Sequence, residues 1–487
     1  MPSEKRGARP HAAALTLVKR WFTAQGWKPF RFQQEVWKHY LAGESGLIHA
    51  PTGMGKTYAA WLGPLLEALA EPAWTEKKAP PLRVLWITPL RALAANTEQA
   101  LQAASTALEL PWTVERRTGD ISASMRSRQQ RRLPTALVTT PESLSLLLTR
   151  ANAPELFADL RAVVLDEWHE LLGNKRGVQA ELGLARLRRW RPDLRVWGLS
   201  ATIQNTDEAL QVLLGTSGQT GRLVRGVQPK KIVLDAALPK EMERFPWSGH
   251  LGARMAPGVI AAVEQHRSTL IFTNTRSQAE QWYQILLEAR PDWEGSIGLH
   301  HGSIEGDERE RVERGLSDGS LRAVVCTSSL DLGVDFAPVE RVLQLGSPKG
   351  VARLLQRAGR SGHQPTATSR ATCVPTHALE LIEAAAVREA AAAGEIEPRR
   401  PLDKPLDVLV QHLVTVALGG GFTADELFEE VCTTHAYRNL TRAEFDWALE
   451  FVTVGGSSLK GHPEYHRVAR EGDRYLVMRD ELALRHR

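Results

Sequence analysis

Between a short apolar run, Gly46-Leu47-Ile48-His49, and a helix-forming run that begins Tyr58-Ala59-Ala60-Trp61-Leu62, the chain reads Ala50-Pro51-Thr52-Gly53-Met54-Gly55-Lys56-Thr57. No other stretch restricts the fold as much. A strand that passes through a glycine-bearing loop into a helix leaves backbone N–H groups without intrahelical partners, and these converge on one point to make an anion site. Gly53 and Gly55 let the backbone wrap a phosphate with no Cβ in the way. Lys56 has the reach for β- and γ-phosphates, and the Thr57 hydroxyl is placed to ligate Mg²⁺. Thr52, Gly53, Gly55, Lys56 and Thr57 are therefore candidate ligands of ATP with Mg²⁺. Ala50 stands where the usual pattern opens on glycine, the one departure in the octapeptide.

Upstream lies Trp27-Lys28-Pro29-Phe30-Arg31-Phe32-Gln33-Gln34. A glutamine amide pairs with both the N6 donor and the N7 acceptor of adenine, which guanine does not match. Gln34, with Arg31 or Phe30 stacked nearby, is the expected adenine reader. Downstream, strand-like runs at 84–88, 136–139, 162–165 and 196–199 alternate with helix-like ones. This alternation predicts a parallel sheet with its ligands at the carboxyl ends of the strands. Those ends are polar: Thr88-Pro89-Leu90-Arg91, Thr139-Thr140-Pro141-Glu142, Asp166-Glu167-Trp168-His169 and Ser200-Ala201-Thr202. Asp166 is placed to hold Mg²⁺, and the adjacent Glu167, pointing the other way, to deprotonate the attacking water.

A Gly/Ser/Thr/Gln stretch at 215–226 reads as a linker, and a second series of strands comes after it at 269–272, 297–300, 323–326 and 342–345. This half has no phosphate loop. It carries Gln356-Arg357-Ala358-Gly359-Arg360-Ser361-Gly362-His363 instead, which suggests arginines delivered across a cleft to the nucleotide; Arg357 and Arg360 are the candidates. After a proline-bearing linker at 395–405 the rhythm changes. An apolar helix at 406–418 is followed by Thr423-Ala424-Asp425-Glu426 and Thr441-Arg442-Ala443-Glu444, two capping boxes. Two short strands, 467–470 and 474–478, flank Glu471-Gly472-Asp473, so three helices and a hairpin predict a winged helix, expected beside the second sheet that precedes it. The expected domains are 1–222, 223–398 and 399–487.

The net charge of +5 fits a polyanionic partner without demanding one. Most of the fourteen tryptophans are expected in the core. Three scattered cysteines with no CxxC argue for a reducing compartment and against a structural zinc or iron–sulfur site. With no apolar leader and no membrane-length run, a cytoplasmic, nucleoid-associated protein is expected.

The ordered set APTGMGKT, TPLRALA, TTPES, DEWH, SAT, TNTRSQAE, HHGS, TSSLDLGVD and QRAGRSGH resembles the superfamily 2 helicases with a DExH box. DEWHELLGNKRGVQAEL and GSPKGVARLLQRAGRSGH are similar to the large helicase-related (Lhr) branch, and within it to the helicase core of the bacterial ligase-associated type. The resemblance implies an α/β chain of two RecA-like parallel-sheet domains in tandem, followed by a C-terminal winged-helix domain. It implies an ATP-dependent 3′→5′ translocase on single-stranded DNA that unwinds DNA duplexes or RNA:DNA hybrids, acting as a monomer in DNA repair beside other repair proteins. It further implies that Asp335 contacts the ribose, that Arg360 is the arginine finger with Arg357 nearby, and that Pro89, Arg91, Thr140, Arg276, His301 and Thr327 touch the tracked strand. Two departures stand out: His363 replaces the arginine that ends the last motif in many relatives, and the chain stops soon after the winged helix, where relatives continue. An ATP-gated clamp that binds without unwinding uses nearly the same motifs and is the competing expectation; a DNA-bending winged-helix regulator would leave two α/β domains unexplained.

Overall fold

The structure, a computed structural model, describes residues 4–71, 80–216, 218, 220–226, 231–237, 253–332, 339–362, 368–455 and 467–477. Asp335, His363 and the end of the second predicted wing strand lie outside the described residues.

Seven strands form the first sheet: β1 (Gly46–His49), β2 (Val84–Ile87), β3 (Val114–Arg117), β4 (Ala136–Thr139), β5 (Ala162–Leu165), β6 (Arg195–Ser200) and β7 (Arg222–Arg225). Their order is β3-β4-β2-β5-β6-β1-β7, with every pairing parallel. Strands β2, β4 and β5 are buried throughout, as apolar runs between two helical layers must be. Because all seven run the same way, the phosphate loop and the polar ends of β2, β4, β5 and β6 share the carboxyl edge of this sheet. The expected boundary at 222/223 falls inside β7, which pairs with β1 and belongs to the first domain.

The second sheet holds β8 (Ile232–Ala236), β9 (Thr269–Phe272), β10 (Ile297–His300), β11 (Ala323–Cys326), β12 (Arg341–Leu345) and β13 (Ser369–Val374), ordered β10-β11-β9-β12-β13-β8 and again parallel. The chain is thus two RecA-like parallel-sheet domains followed by a winged helix. In the winged helix, the helices Leu406–Leu418, Ala424–Cys432 and Arg442–Val454 support an antiparallel sheet of β14 (Phe422–Thr423), β15 (Ala469–Glu471) and β16 (Arg474–Leu476). Thr441 and Glu444 form the complete reciprocal capping box, whereas Thr423 caps by accepting from Glu426 N alone.

The winged helix does not stand beside the second sheet, where its C-terminal position in the sequence would put it. It shares a core with the first domain: Val178 and Leu182 of the helix Lys175–Trp190 are buried with Leu409, Leu413, Leu427 and Tyr437. Arg186 pairs with Glu430 at 2.8 Å, Glu181 accepts from Ala436 N at 3.0 Å, and Thr216 N donates to Thr433 O at 2.8 Å. Arg438 and Arg442, the basic residues most suited to a phosphate contact in this module, face Asp403 and the pair Asp425/Asp446.

Candidate active site and nucleic-acid cleft

The loop after β1 meets the neighbouring strand at once, because Ala50 N donates to Ser200 O at 3.0 Å. Gly53 and Gly55 have φ of 81° and 72°, so their lack of a side chain is a backbone requirement. At Gly55 there is a second reason: a Cβ would stand 2.7 Å from the Gln33 amide nitrogen. Lys56 is buried, and its Nζ donates to Ala50 O at 2.9 Å and Pro51 O at 3.2 Å. Burial holds its pKa below the ordinary lysine value. Glu167 and Asp166 oppose that effect, and the charge of Arg360, from the second domain, adds to it.

Opposite the loop, β5 ends in Asp166. Its Oδ2 accepts from Trp86 Nε1 at 3.2 Å and its Oδ1 from Glu167 N at 2.9 Å. Burial, then the charge of Glu167, raises the Asp166 pKa above the usual carboxylate range, against the Trp86 hydrogen bond and the charge of Lys56. Glu167 has φ 45° and ψ 48°. A left-handed glutamate costs on the order of 1 kcal/mol, a strain found where function over-determines the backbone. Its Oε2 is buried with no hydrogen-bond partner among the described residues, 3.5 Å from His169 Nδ1. His169 lies within 3.4 Å of Ser200 Oγ, and burial keeps its pKa low and its ring neutral. A glycine cradle, a cation, a hydroxyl (Thr57) and two carboxylates with spare acceptor capacity are a donor set that fits a nucleoside triphosphate with a hard divalent cation.

From the second domain, Gly359 comes up to the loop: a Cβ there would lie 3.8 Å from Thr52 Cβ. Arg360 is buried beside it, with Nη2 donating to Asp331 O at 2.9 Å. Arg357 is differently placed. Its Nε and Nη2 bind both oxygens of Asp331 at 2.7 and 3.1 Å, Nη1 binds Gln344, and the guanidinium lies 4.6 Å from the Phe272 ring centroid. Each guanidinium nitrogen of Arg357 has a partner within its own domain, and of the two candidate arginines it is Arg360 whose charge reaches Lys56 of the loop.

The glutamine also changes. Gln34 is exposed, and among the described residues its amide reaches Pro29 O alone, at 3.4 Å. Gln33 is buried against the loop, accepting from Phe30 N and donating to Gly55 O, each at 2.9 Å. Adjacent positions at a helix start face different ways, and the sequence does not say which faces the loop. Arg31 is exposed, and Phe30 stacks on Phe32 at 5.9 Å.

A second cleft of about 710 Å³ runs between the domains, lined by Pro89, Arg91, Arg176, Arg276, Arg309, His300 and Thr327 among others. Pro89, Arg91, Arg276 and Thr327 thus come together as expected. Thr140 does not line it: its buried hydroxyl caps the helix Pro141–Leu148, accepting from Ser143 N. His301 is also buried outside the lining, 3.1 Å from Glu280 Oε1, while His300 occupies the wall between Ser329 Oγ at 2.7 Å and Glu313 Oε1 at 3.1 Å. Arg176 was absent from the expected set. It donates to Pro89 O at 2.6 Å and pairs with Glu142, locking two strand ends together. Its only sequence signal was its place in the NKRG segment after the acidic pair.

Three protein-family models match the chain. They are a DEAD/DEAH box helicase over residues 30–210, a helicase conserved C-terminal domain over 255–364, and the large helicase-related protein winged helix domain over 389–487. The Lhr helicase/probable uracil glycosylase of Mycolicibacterium smegmatis is 33% identical over 490 residues, covering 92% of this chain and 32% of the relative. The ATP-dependent helicase Lhr-Core of Methanocaldococcus jannaschii is 33% identical over 449 residues, covering 90% and 52%. The chain therefore spans about half, or less, of the length of these relatives. Among solved structures, the Mycobacterium smegmatis helicase Lhr bound to ssDNA and AMP-PNP superposes with a TM-score of 0.84 at 31% identity, over 96% of this chain and 60% of that one. The DUF1998 helicase MrfA bound to DNA superposes with a TM-score of 0.73 at 23% identity, over 95% and 62%, a likeness of fold alone.

Proposed function

The chain belongs to the large helicase-related (Lhr) family of DEAD/DEAH-box helicases, and we propose that it is a nucleic-acid-dependent ATPase that moves 3′→5′ along single-stranded DNA and unwinds DNA duplexes or RNA:DNA hybrids in DNA repair. The observation that carries this reading is the composite site. The phosphate loop and acidic pair of one domain meet Arg360 of the other, beside a cleft with four arginines on its walls. A site completed by two domains hydrolyses only when they close, and a strand held by both domains favours that closure.

In this scheme the loop N–H groups and Lys56 hold the phosphates, and Gln33, rather than Gln34, is the glutamine that braces the loop through Gly55 O. Thr57 and Asp166 are the residues that would hold Mg²⁺, which supplies charge neutralisation at the phosphates. Glu167 takes the proton of the attacking water. His169 stands beside that carboxylate at 3.5 Å, and Arg360 stabilises the charge on the departing phosphoryl group. Arg91, Arg276 and Arg309 grip the strand through its phosphates, which positions it without reading sequence. The M. smegmatis structure with ssDNA and AMP-PNP supports both ligands for this chain. Among the described residues no helix is long and apolar enough to cross a membrane.

The test is ATP turnover with and without single strands, then unwinding of all four duplex chemistries carrying either tail polarity. Turnover should rise on adding strands, and binding should weaken steeply with salt as counterions are released. Turnover indifferent to nucleic acid would refute the coupling, and tight ATP-dependent binding without strand displacement would make the chain a clamp.

A further inference from the structure

The segment 395–405 has no helix or strand of its own, yet it touches both sheet domains within three residues. On one side Glu397 accepts from Val351 N at 2.6 Å and Ala352 N at 3.1 Å, the first turn of the helix Val351–Ala358. These are two of the donors that a helix start leaves unpaired. Gly350 makes room for this contact, since a Cβ there would stand 2.9 Å from Glu397 Oε1. Burial works against the Glu397 charge, but the N–H groups of Ala352 and Val351, with its own N–H and the charge of Arg399, together hold its pKa below the usual carboxylate value.

On the other side the Asn205 amide pairs reciprocally with the Arg399 backbone, Nδ2 to O at 2.8 Å and N to Oδ1 at 3.0 Å. Asn205 stands just past Ser200-Ala201-Thr202 in the first domain. The Arg400 backbone packs on Gly173, where a Cβ would come within 2.7 Å of Arg400 O, and the Arg399 guanidinium is 4.0 Å from Glu170, beside the acidic motif. Pro398 separates the two anchors, fixing its own φ and pressing Glu397 into an extended conformation.

Two residues span at most about 7 Å. While both anchors hold, the start of the helix Val351–Ala358 cannot leave the loop at Asn205, and the domains can only rotate about that edge. The far end of the same helix, about 12 Å along its axis, carries Arg357 and then Arg360. We infer that the Glu397–Arg399 strap is the pivot on which the two sheet domains close, with Glu397 and Asn205 as positioning residues that set where Arg360 arrives. Its consequence for turnover rests on the ATPase reading, whereas its exchange test does not.

Hydrogen exchange on the full chain reads the strap without catalysis. Glu397→Ala should speed exchange in the peptide 349–362 and also in 200–210, across the domain boundary; Asn205→Ala should do the same in reverse, because coupling is reciprocal. Glu397→Gln, which keeps one acceptor oxygen, should fall between wild type and Glu397→Ala. It and Asn205→Ala carry the test should Glu397→Ala not fold. In parallel, strand-stimulated kcat should drop about tenfold in either variant with KM for ATP nearly constant, and the double variant should lose no more than the worse single one. Exchange changes confined to the substituted domain, or additive losses in kcat, would overturn the pivot. A wild-type chain with no stimulated turnover would overturn the function reading instead and leave exchange to decide the strap.

Discussion

Glu167 carries the clearest cost in the structure, a left-handed backbone and a buried carboxylate oxygen without a hydrogen bond among the described residues. Glu167→Gln removes the base and keeps the shape, so ATP binding should stay intact while hydrolysis falls by about 100-fold or more, the scale of a lost general base. Near-normal turnover would reassign that role. The two arginines make a sharper comparison. Arg357→Ala strips the Asp331 carboxylate of its buried partner and should destabilise the second domain by about 3–5 kcal/mol. Arg360→Ala loses one buried hydrogen bond to Asp331 O and should cost less stability than Arg357→Ala, about 1–3 kcal/mol, while lowering kcat far more than ATP affinity, since a finger acts chiefly in the transition state. A thermal melt with ATP titration separates the two, and the opposite pattern would exchange their roles. At this scale the sequence named residue types and missed orientations. It read a glutamine before the loop but not which of two neighbours faces it, and an arginine pair but not that Asp331 already holds one member.

Most buried apolar runs were legible as strands, although β13, buried at five of its six positions, and the half-exposed β8 were missed. β2, β4, β5, β9 and β11 are apolar and fully buried, and the sequence showed each. β3 reads Val-Glu-Arg-Arg at an open sheet edge and β7 reads Arg-Leu-Val-Arg at the other, so neither has an apolar signature and both were missed. The helix Lys175–Trp190 is a subtler case, because one face packs in the first domain's core through Ala180, Leu184 and Leu187 while Val178 and Leu182 meet a module more than two hundred residues later. Glu181 on it is pushed up to about 8, first by burial; the N–H groups of Ala436 and His435 and the charges of Arg438 and Arg188 oppose that shift. An ordinary glutamate ionises near 4.5. Between those two values the folded chain holds one proton more than the unfolded chain, so this group's contribution to stability falls as pH rises through the window and is level above it. Glu181→Gln cannot titrate and still accepts from Ala436. Its stability relative to wild type should therefore grow by on the order of a few kcal/mol between pH 5 and pH 8, read from urea unfolding. A gap that stays constant across that range would sink the account of Glu181 as a protonated interface residue.

At the scale of the molecule, three modules in sequence make two bodies in space. The winged helix and the first domain share buried Val178, Leu182, Leu409 and Leu413, together with the Arg186–Glu430 pair, whereas the second domain meets them at the strap and across the cleft lined by Arg91 and Arg276. Domain order along the chain suggested a winged helix carried by the second sheet, because a sequence records the order of segments and leaves their packing partners open. The consequence concerns truncation. A chain cut near Pro401 would expose the apolar face of the helix Lys175–Trp190 and leave Glu181 and Arg186 without their partners, so the first domain itself should weaken. Calorimetry of the full chain should show two transitions, one for the first domain with the winged helix and one for the second domain; a non-hydrolysable ATP analogue with a single strand should draw them together, since ligands that bind only the closed pair stabilise both. Cutting near Pro401 should lower the first-domain transition by several degrees and reduce strand-stimulated turnover along with unwinding. Three independent transitions, or a truncated chain whose first domain melts at the full-length temperature, would show that the winged helix is a separate module and that its packing on Val178 and Leu182 does not hold the first domain together.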